Sequence, residues 1–480
     1  MRLSFPTLAA ALALALLAAP SPARELPRAA ASTLAVPASG VIGVEDAYLA
    51  PDFWIARLQQ PDAVVFDRAR IAANNARLVE VDDSLHDLAA LPATLDRAQV
   101  AHWIEGLSRR PTRTLYGEDH RPVAAGALDA IVANAALDAI PASQPTRYGL
   151  AVRRAALRSF PTALRVFSSD DDTDIDRFQE SALFPGTPVA IVHASRDGSW
   201  LFVVSPRYAA WVEADAIAEG AKDAVLGYAA KAPYRVVTGA KVRTVFTPEE
   251  PRVSELQLDM GVRVPLADVA ADKPVNGQHP YTAWPVELPV RNADGSLGFA
   301  PALVQRNADT ASDYLPLTRA NLIRQAFKFL GERYGWGHSY NARDCSGFVS
   351  EVYRSMGVLL PRNTSDQGVS PGLDHVRFTD KDGRATREAA ARALEVGDLV
   401  YIPGHVMMVI GRIGDVPYVI HDTNGGRYLG ADGRLHSMGL NGVSVTPLTP
   451  LRFNARERYI DVMTSIVRIR PTANQEGTAP

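Results

Sequence analysis

A single cysteine, Cys345, occurs in 480 residues. No internal disulfide can brace such a chain, so whatever it folds into must be held by buried apolar surface. The composition allows that: 47% of residues are hydrophobic and 21% charged, the balance of folded soluble domains. The length exceeds what one core organises and predicts about three or four domains. A formal net charge of −3 leaves no basic excess to neutralise phosphates, which excludes nucleic acid as the main partner.

The N-terminus reads "MRLSFPTLAAALALALLAAPSPARE". Arg2, the apolar run from Leu8 to Ala19 and the small-residue exit at Ser21-Pro22-Ala23 form a secretory signal over residues 1–23. The run is shorter than the ~20 residues that span a bilayer, and no other stretch resembles a transmembrane helix. The chain is therefore expected to be exported, with no membrane span after signal cleavage. A lone thiol in an exported protein is either a buried bystander or a reactive group.

Residues 41–145 carry helical periodicity. "DAYLAPDFWIARL" presents Tyr48, Phe53, Trp54 and Leu58, and "TLDRAQVAHWIEGL" starts at Thr94 as a candidate cap. From residue 147 the texture changes to short β-branched and aromatic runs with tight turns, among them Asp197-Gly198 and Asp294-Gly295. Two small β-barrels in tandem are expected, at 147–222 and 233–314. Residues 317–465 read as helix, helix, then strands, an α+β domain with segregated elements. Residues 466–480, ending "RPTANQEGTAP", read as a polar disordered tail.

Cys345 falls where the amphipathic stretch "SGFVSEVYRSMG" begins, with Asp344 as candidate N-cap and Gly357 as C-cap. A helix N-terminus and a nearby imidazolium both lower a thiol's pKa, and free N–H groups there can hold an oxyanion. His405 opens "HVMMVI" and His421 ends "PYVIHD", on strands that would bring the two rings together if they share a face. Gly404 is expected to allow close backbone approach beside His405. One histidine would serve the thiolate and the other would orient the first. On spacing alone a zinc site from Cys345, His405 and His421 also stays open, as does a bystander thiol. No cofactor is called for.

The stretches "YGWG…DCSGFVSEVYRSMGVLLPRNTSDQ", "GDLVYIPGHVMMVIG" and "YVIHDTNGG" closely resemble the NlpC-type cell-wall cysteine peptidases of the papain-like superfamily, over about residues 318 to 462. The upstream order resembles the multidomain branch, with a stabilising N-terminal domain and two bacterial SH3-like barrels. The resemblance implies a papain-like fold with Cys345 as nucleophile, His405 as general base and acid, and His421 as the orienting member. It implies hydrolysis of the γ-D-glutamyl–diamino acid amide of peptidoglycan stem peptides or muropeptides, in the periplasm or at the cell wall. Asp344, Ser346 and Thr364 would line a subsite for a free N-terminal L-alanine, closed by Glu180 and Tyr208 of the first barrel. Trp211 is expected to pack within that barrel. Two departures stand out: His338 where a second glycine is usual, expected near the pocket, and Arg343 before Asp344, expected as a positive charge at its rim. Rival readings are a non-catalytic wall-binding protein and an amidase or acyltransferase with the same Cys-His site.

Overall fold

The computed structural model describes residues 40–471, so the expected signal at 1–23 lies outside the described residues. The segment read as one helical unit is divided among several cores, Leu128 of its last helix joining Leu115 and Phe160 in one of its own. Its helices are Pro51–Ile55, Arg68–Val81, Arg97–Leu107 and Ala125–Asn134. The third is capped by Asp96, whose Oδ1 accepts from the Gln99 N–H at 2.8 Å. Thr94, expected as the cap, lies instead in a three-residue strand paired with Ser143–Pro145. The first two helices lie on the C-terminal domain: Trp54 and Tyr48 pack against Tyr418, and the Tyr418 hydroxyl donates to the Gly43 carbonyl at 2.6 Å. Gly411 has no Cβ because one would sit 2.7 Å from the Trp54 ring. Leu95, Val100 and Ile104 share a different core with Leu150, Phe202 and Trp211.

That second core belongs to a seven-stranded antiparallel sheet between residues 147 and 220. The turn at Asp197-Gly198 forms as expected, with Gly198 at φ +70° and the Asp197 carboxylate accepting from Ser195 and Ser199. Trp211 is wholly buried in it, and its indole N–H donates to Ser108 at 3.0 Å. A second β unit follows, in which Tyr234–Val237, Lys241–Arg243 and the long hairpin Ala283–Arg291/Leu297–Gln305 surround Val237, Leu258, Val286 and Leu288.

The C-terminal domain is a six-stranded antiparallel sheet with two helices, Arg319–Phe327 and Cys345–Arg354, on one face. Period-two alternation sorts its side chains. Val406, Met408 and Ile410 meet Phe348, Val349 and Val352 of the cysteine-bearing helix, whereas Met407 and Val409 face a separate core with Leu448 and Leu451. Gly357, at φ +81°, closes the turn after that helix. The first residues of the tail expected from 466 are a strand, and 472–480 lie outside the described residues. Ser465–Arg468 is a strand between Asp374–Arg377 and Leu399–Ile402, with Ile466 and Val467 fully buried, because its apolar pair fills both faces of the sheet. Among the described residues no helix is long and apolar enough to cross a membrane.

Trp54 ties the N-terminal segment to the sheet through buried apolar area alone. Trp54→Ala should lower unfolding stability by about 3–5 kcal/mol, measured by urea denaturation; a loss within experimental scatter would show that the segment only rests on the domain.

Candidate active site

Cys345 is the first residue of its helix, and Asp344 caps it: Oδ1 accepts from the Gly347 N–H at 2.8 Å. The N–H groups of Cys345 and Ser346 precede any intrahelical acceptor and remain available at the helix tip. The loop before it turns back through left-handed backbone at Gly337, His338, Tyr340 and Asn341. The first barrel clips this loop in place, since Trp336 Nε1 donates to the Gln179 carbonyl at 3.0 Å and Gln179 Nε2 to the Gly337 carbonyl at 2.7 Å.

His405 starts its strand directly after the two-residue turn Pro403-Gly404. Gly404 sits at φ +77° with nothing within 4 Å of where a Cβ would be. The backbone angle of the turn selects glycine there, rather than the close approach expected from sequence. His405 Nε2 and His421 Nδ1 are 2.7 Å apart, and His421 Nε2 lies 2.9 Å from the Thr446 hydroxyl. Val406, the residue after His405, packs in the same core cluster as Cys345, and Thr364 Oγ1 lies 3.6 Å from the sulfur. Sulfur and Thr364 thus lie in one cavity wall with Gly404, the residue before His405.

The electrostatics differ from the expectation of an acidified thiol. Burial, reinforced by the Asp344 charge, pushes the Cys345 thiol up to about 12, against the pull of Thr364 and Val406. Burial also lowers His405 to about 4, and burial with the neighbouring His405 ring lowers His421 well below its ordinary value. Burial therefore favours a neutral thiol and neutral imidazoles. Asp422, next to His421, is wholly buried with neither carboxyl oxygen bonded among the described residues, and burial pushes it up to about 9.

A cavity of about 450 Å³ opens beside the sulfur, lined among others by Glu180, Tyr334, Asp344, Ser346 and Thr364. Glu180 reaches it from the first barrel; its Oε2 accepts from the Tyr208 hydroxyl at 2.6 Å, and burial raises both groups. Asp344 is already committed. Although burial opposes ionisation, the Arg362 guanidinium, 2.8 Å away, holds its carboxyl well below the usual range. Arg362 also donates to Ser346 Oγ at 2.9 Å and Ser181 Oγ at 2.6 Å. Sequence reasoning quoted the Pro-Arg box containing Arg362 but gave the residue no part; its long-range partners are what reveal it. Thr446 carried no signal of its own.

Arg343 is not at the pocket rim. It is completely buried and paired with Asp259 of the second β unit at 2.8 Å, with Glu351 at 2.9 Å and with Glu332. A guanidinium needs such partners to be buried at all, and they lie behind the cleft. His338 is also buried, held between Arg362 and Glu351.

This arrangement defines a cysteine–histidine hydrolase site on an α+β scaffold. Residues 331–452 match the NlpC/P60 family and residues 165–213 match the SH3 domain of the SH3b1 type; the chain carries an NlpC/P60 domain preceded by an SH3b domain. It is similar to "Probable endopeptidase p60" of Listeria seeligeri, 29% identical over 24% of this chain and 22% of that protein. It is also similar to a "Gamma-D-glutamyl-L-lysine dipeptidyl-peptidase" of Bacillus cereus, 30% identical over 17% of this chain and 28% of that protein. The chain thus spans under a third of the length of these curated relatives. An NlpC/P60 endopeptidase structure from Photobacterium damselae subsp. piscicida shares the fold with TM-score 0.70 and 16% identity, over 88% of this chain and 96% of that one.

A base must be neutral to accept a proton, so protonating His405 should stop turnover. With His405 lowered to about 4, the acid limb of kcat should lie well below the ordinary imidazole value, as pH–rate profiles would record. A limb at the ordinary value would contradict the buried, uncharged pair.

Proposed function

We propose that this chain is an exported cysteine endopeptidase of peptidoglycan. It hydrolyses the amide between the γ-carboxyl of D-glutamate and a diamino acid in stem peptides whose N-terminal L-alanine is free. The observation that carries this reading is that Cys345 and Glu180 line one cavity whose wall also includes Gly404, the residue before His405 of the bonded His405–His421 pair. Among the described residues Glu180 is the cavity carboxylate without an ion-pair partner, since Asp344 is neutralised by Arg362. A carboxylate left in that state in a cavity wall suits an ammonium group. The relatives named as an endopeptidase and a γ-D-glutamyl-L-lysine dipeptidyl-peptidase are in keeping with it, as are the export pattern of residues 1–23 and the SH3b domain.

The chemistry follows from the hydrogen bonds. If His405 Nε2–H donates to His421 Nδ1, and His421 Nε2–H to Thr446 Oγ1, the Nδ1 lone pair of His405 is left for the thiol. As the sulfur attacks the carbonyl carbon, its proton passes to His405 Nδ1. The oxyanion is received by the N–H groups of Cys345 and Ser346 at the helix tip. The imidazolium then gives the proton to the departing amine, leaving a thioester. His405 takes a proton from water, which attacks the thioester and releases the glutamyl γ-carboxylate and the free thiol. His421 and Thr446 fix the tautomer throughout.

Cys345→Ala should abolish cleavage of an L-Ala-γ-D-Glu-diamino acid peptide, read by mass spectrometry, while the thermal melting temperature stays within about 3 °C of wild type. Undiminished turnover would remove the proposal. Acetylating the peptide's N-terminus, which deletes the ammonium charge, should raise KM about tenfold or more. Equal KM values would show that Glu180 does not meet an amine.

A further inference from the structure

Arg362 has every donor occupied. Nε serves Ser181 Oγ at 2.6 Å; Nη1 serves Ser346 Oγ at 2.9 Å and Asp344 Oδ1 at 3.2 Å. Nη2 serves Asp344 Oδ2 at 2.8 Å and His338 Nδ1 at 3.0 Å, and lies 3.4 Å from the backbone carbonyl of Glu180. A guanidinium can only donate. His338 Nδ1 must therefore accept, which puts the ring proton on Nε2, where Glu351 Oε1 receives it at 3.2 Å. The imidazole is neutral, buried, and edge-on to Phe184 with ring centroids 5.6 Å apart. Its backbone sits at φ +67°, a conformation that favours glycine. A β-substituted residue held there, with both ring nitrogens bonded, points to a task performed by the ring.

We propose that His338 is a specificity-determining positioning residue: by accepting from Arg362 Nη2 it keeps the guanidinium on Asp344 and off Glu180, leaving the Glu180 carboxylate for a substrate ammonium. Arg362 already touches the main chain of Glu180, and its charge already acts on the Glu180 carboxyl, so that carboxylate is within reach of a turned guanidinium. Once Arg362 turned to it, Glu180 would be neutralised from within and the cleft would lose its preference for a cation. Glu351, anchored by Arg343, fixes the far side of the ring so that it cannot follow the guanidinium. This inference rests on Glu180 as the partner of the substrate amine.

The test compares His338→Gly and His338→Asn with wild type on the free-amine peptide and its N-acetyl form. Glycine suits the backbone angle and removes the ring; asparagine tolerates the angle and restores an acceptor and a donor. His338→Gly should raise KM for the free-amine peptide about tenfold, with any change in kcat shared by both peptides. KM for the acetylated peptide should not rise, so discrimination between the two collapses. His338→Asn should recover most of that discrimination. A purely structural histidine would instead lower the melting temperature and weaken both peptides alike, and that result, or undiminished discrimination in His338→Gly, would overturn the inference. If wild type cleaves neither peptide, the functional reading fails instead. Calorimetric binding of the dipeptide L-Ala-γ-D-Glu to Cys345→Ala, with and without His338→Gly, then decides on its own: about tenfold weaker binding with the glycine upholds the role, and equal binding ends it.

Discussion

The Asp344–Arg362 pair is the contact on which the rest of the site depends. One carboxylate caps the helix that carries Cys345 through the Gly347 N–H, holds the preceding loop through the Gly337 N–H at 3.0 Å, and anchors Arg362. Buried ion pairs rarely stabilise a fold more than apolar residues of the same volume would, yet losing one partner typically costs about 3–5 kcal/mol. Such a pair therefore specifies geometry more than it adds stability. Here it fixes the sulfur, the loop and the Ser346 hydroxyl relative to one another with a single set of directional bonds. The same pairing spends the charge of Asp344, so the carboxylate next to Cys345 in sequence is already neutralised within the protein.

A second buried network lies beneath the first and joins three regions of the chain. Arg343 of the C-terminal domain meets Asp259 of the second β unit, and Arg154 of the first barrel approaches the same aspartate at 3.4 Å. Arg154 also donates to the carbonyls of His338 at 2.9 Å and Ala342 at 2.7 Å, so both barrels grip the loop in front of Cys345. Glu351, on the helix behind the cysteine, links this layer to His338 and through it to Arg362. The loop's left-handed residues are thus held from several sides at once, the condition under which strained backbone persists.

What could be read in the sequence was local or periodic. The helix start at Asp344-Cys345 followed from capping chemistry, and the meeting of His405 with His421 followed from strand alternation across neighbouring strands. What could not be read depended on partners far away in the chain. Arg343 looked like an exposed charge because nothing near it in sequence announces Asp259, 84 residues earlier. The thiol's acidity was misjudged for the same reason: helix position is visible in sequence, whereas the burial that raises the pKa is a property of the assembled cleft. The helical segment at 41–145 kept its period but not its unity. Periodicity reports that a face is apolar and is silent on which surface covers it, here the C-terminal sheet for Trp54 and the first barrel for Ile104.

The site is consequently a property of the whole chain. The C-terminal domain contributes a sulfur and imidazoles, but the wall of the cavity that carries Glu180, the Tyr208 hydroxyl that orients it, and the Ser181 hydroxyl that steadies Arg362 all belong to the first barrel. A domain tethered only to hold a surface would need none of these contacts, and its inward face would not bury charge. Because Arg362 donates to the barrel at Ser181 while pairing with Asp344 at the nucleophile, the orientation of the barrel and the geometry of the helix tip are set by the same guanidinium. Displacing the barrel would therefore disturb the cysteine helix as well as the cavity wall, which is a physical reason for the three units to be joined in one chain.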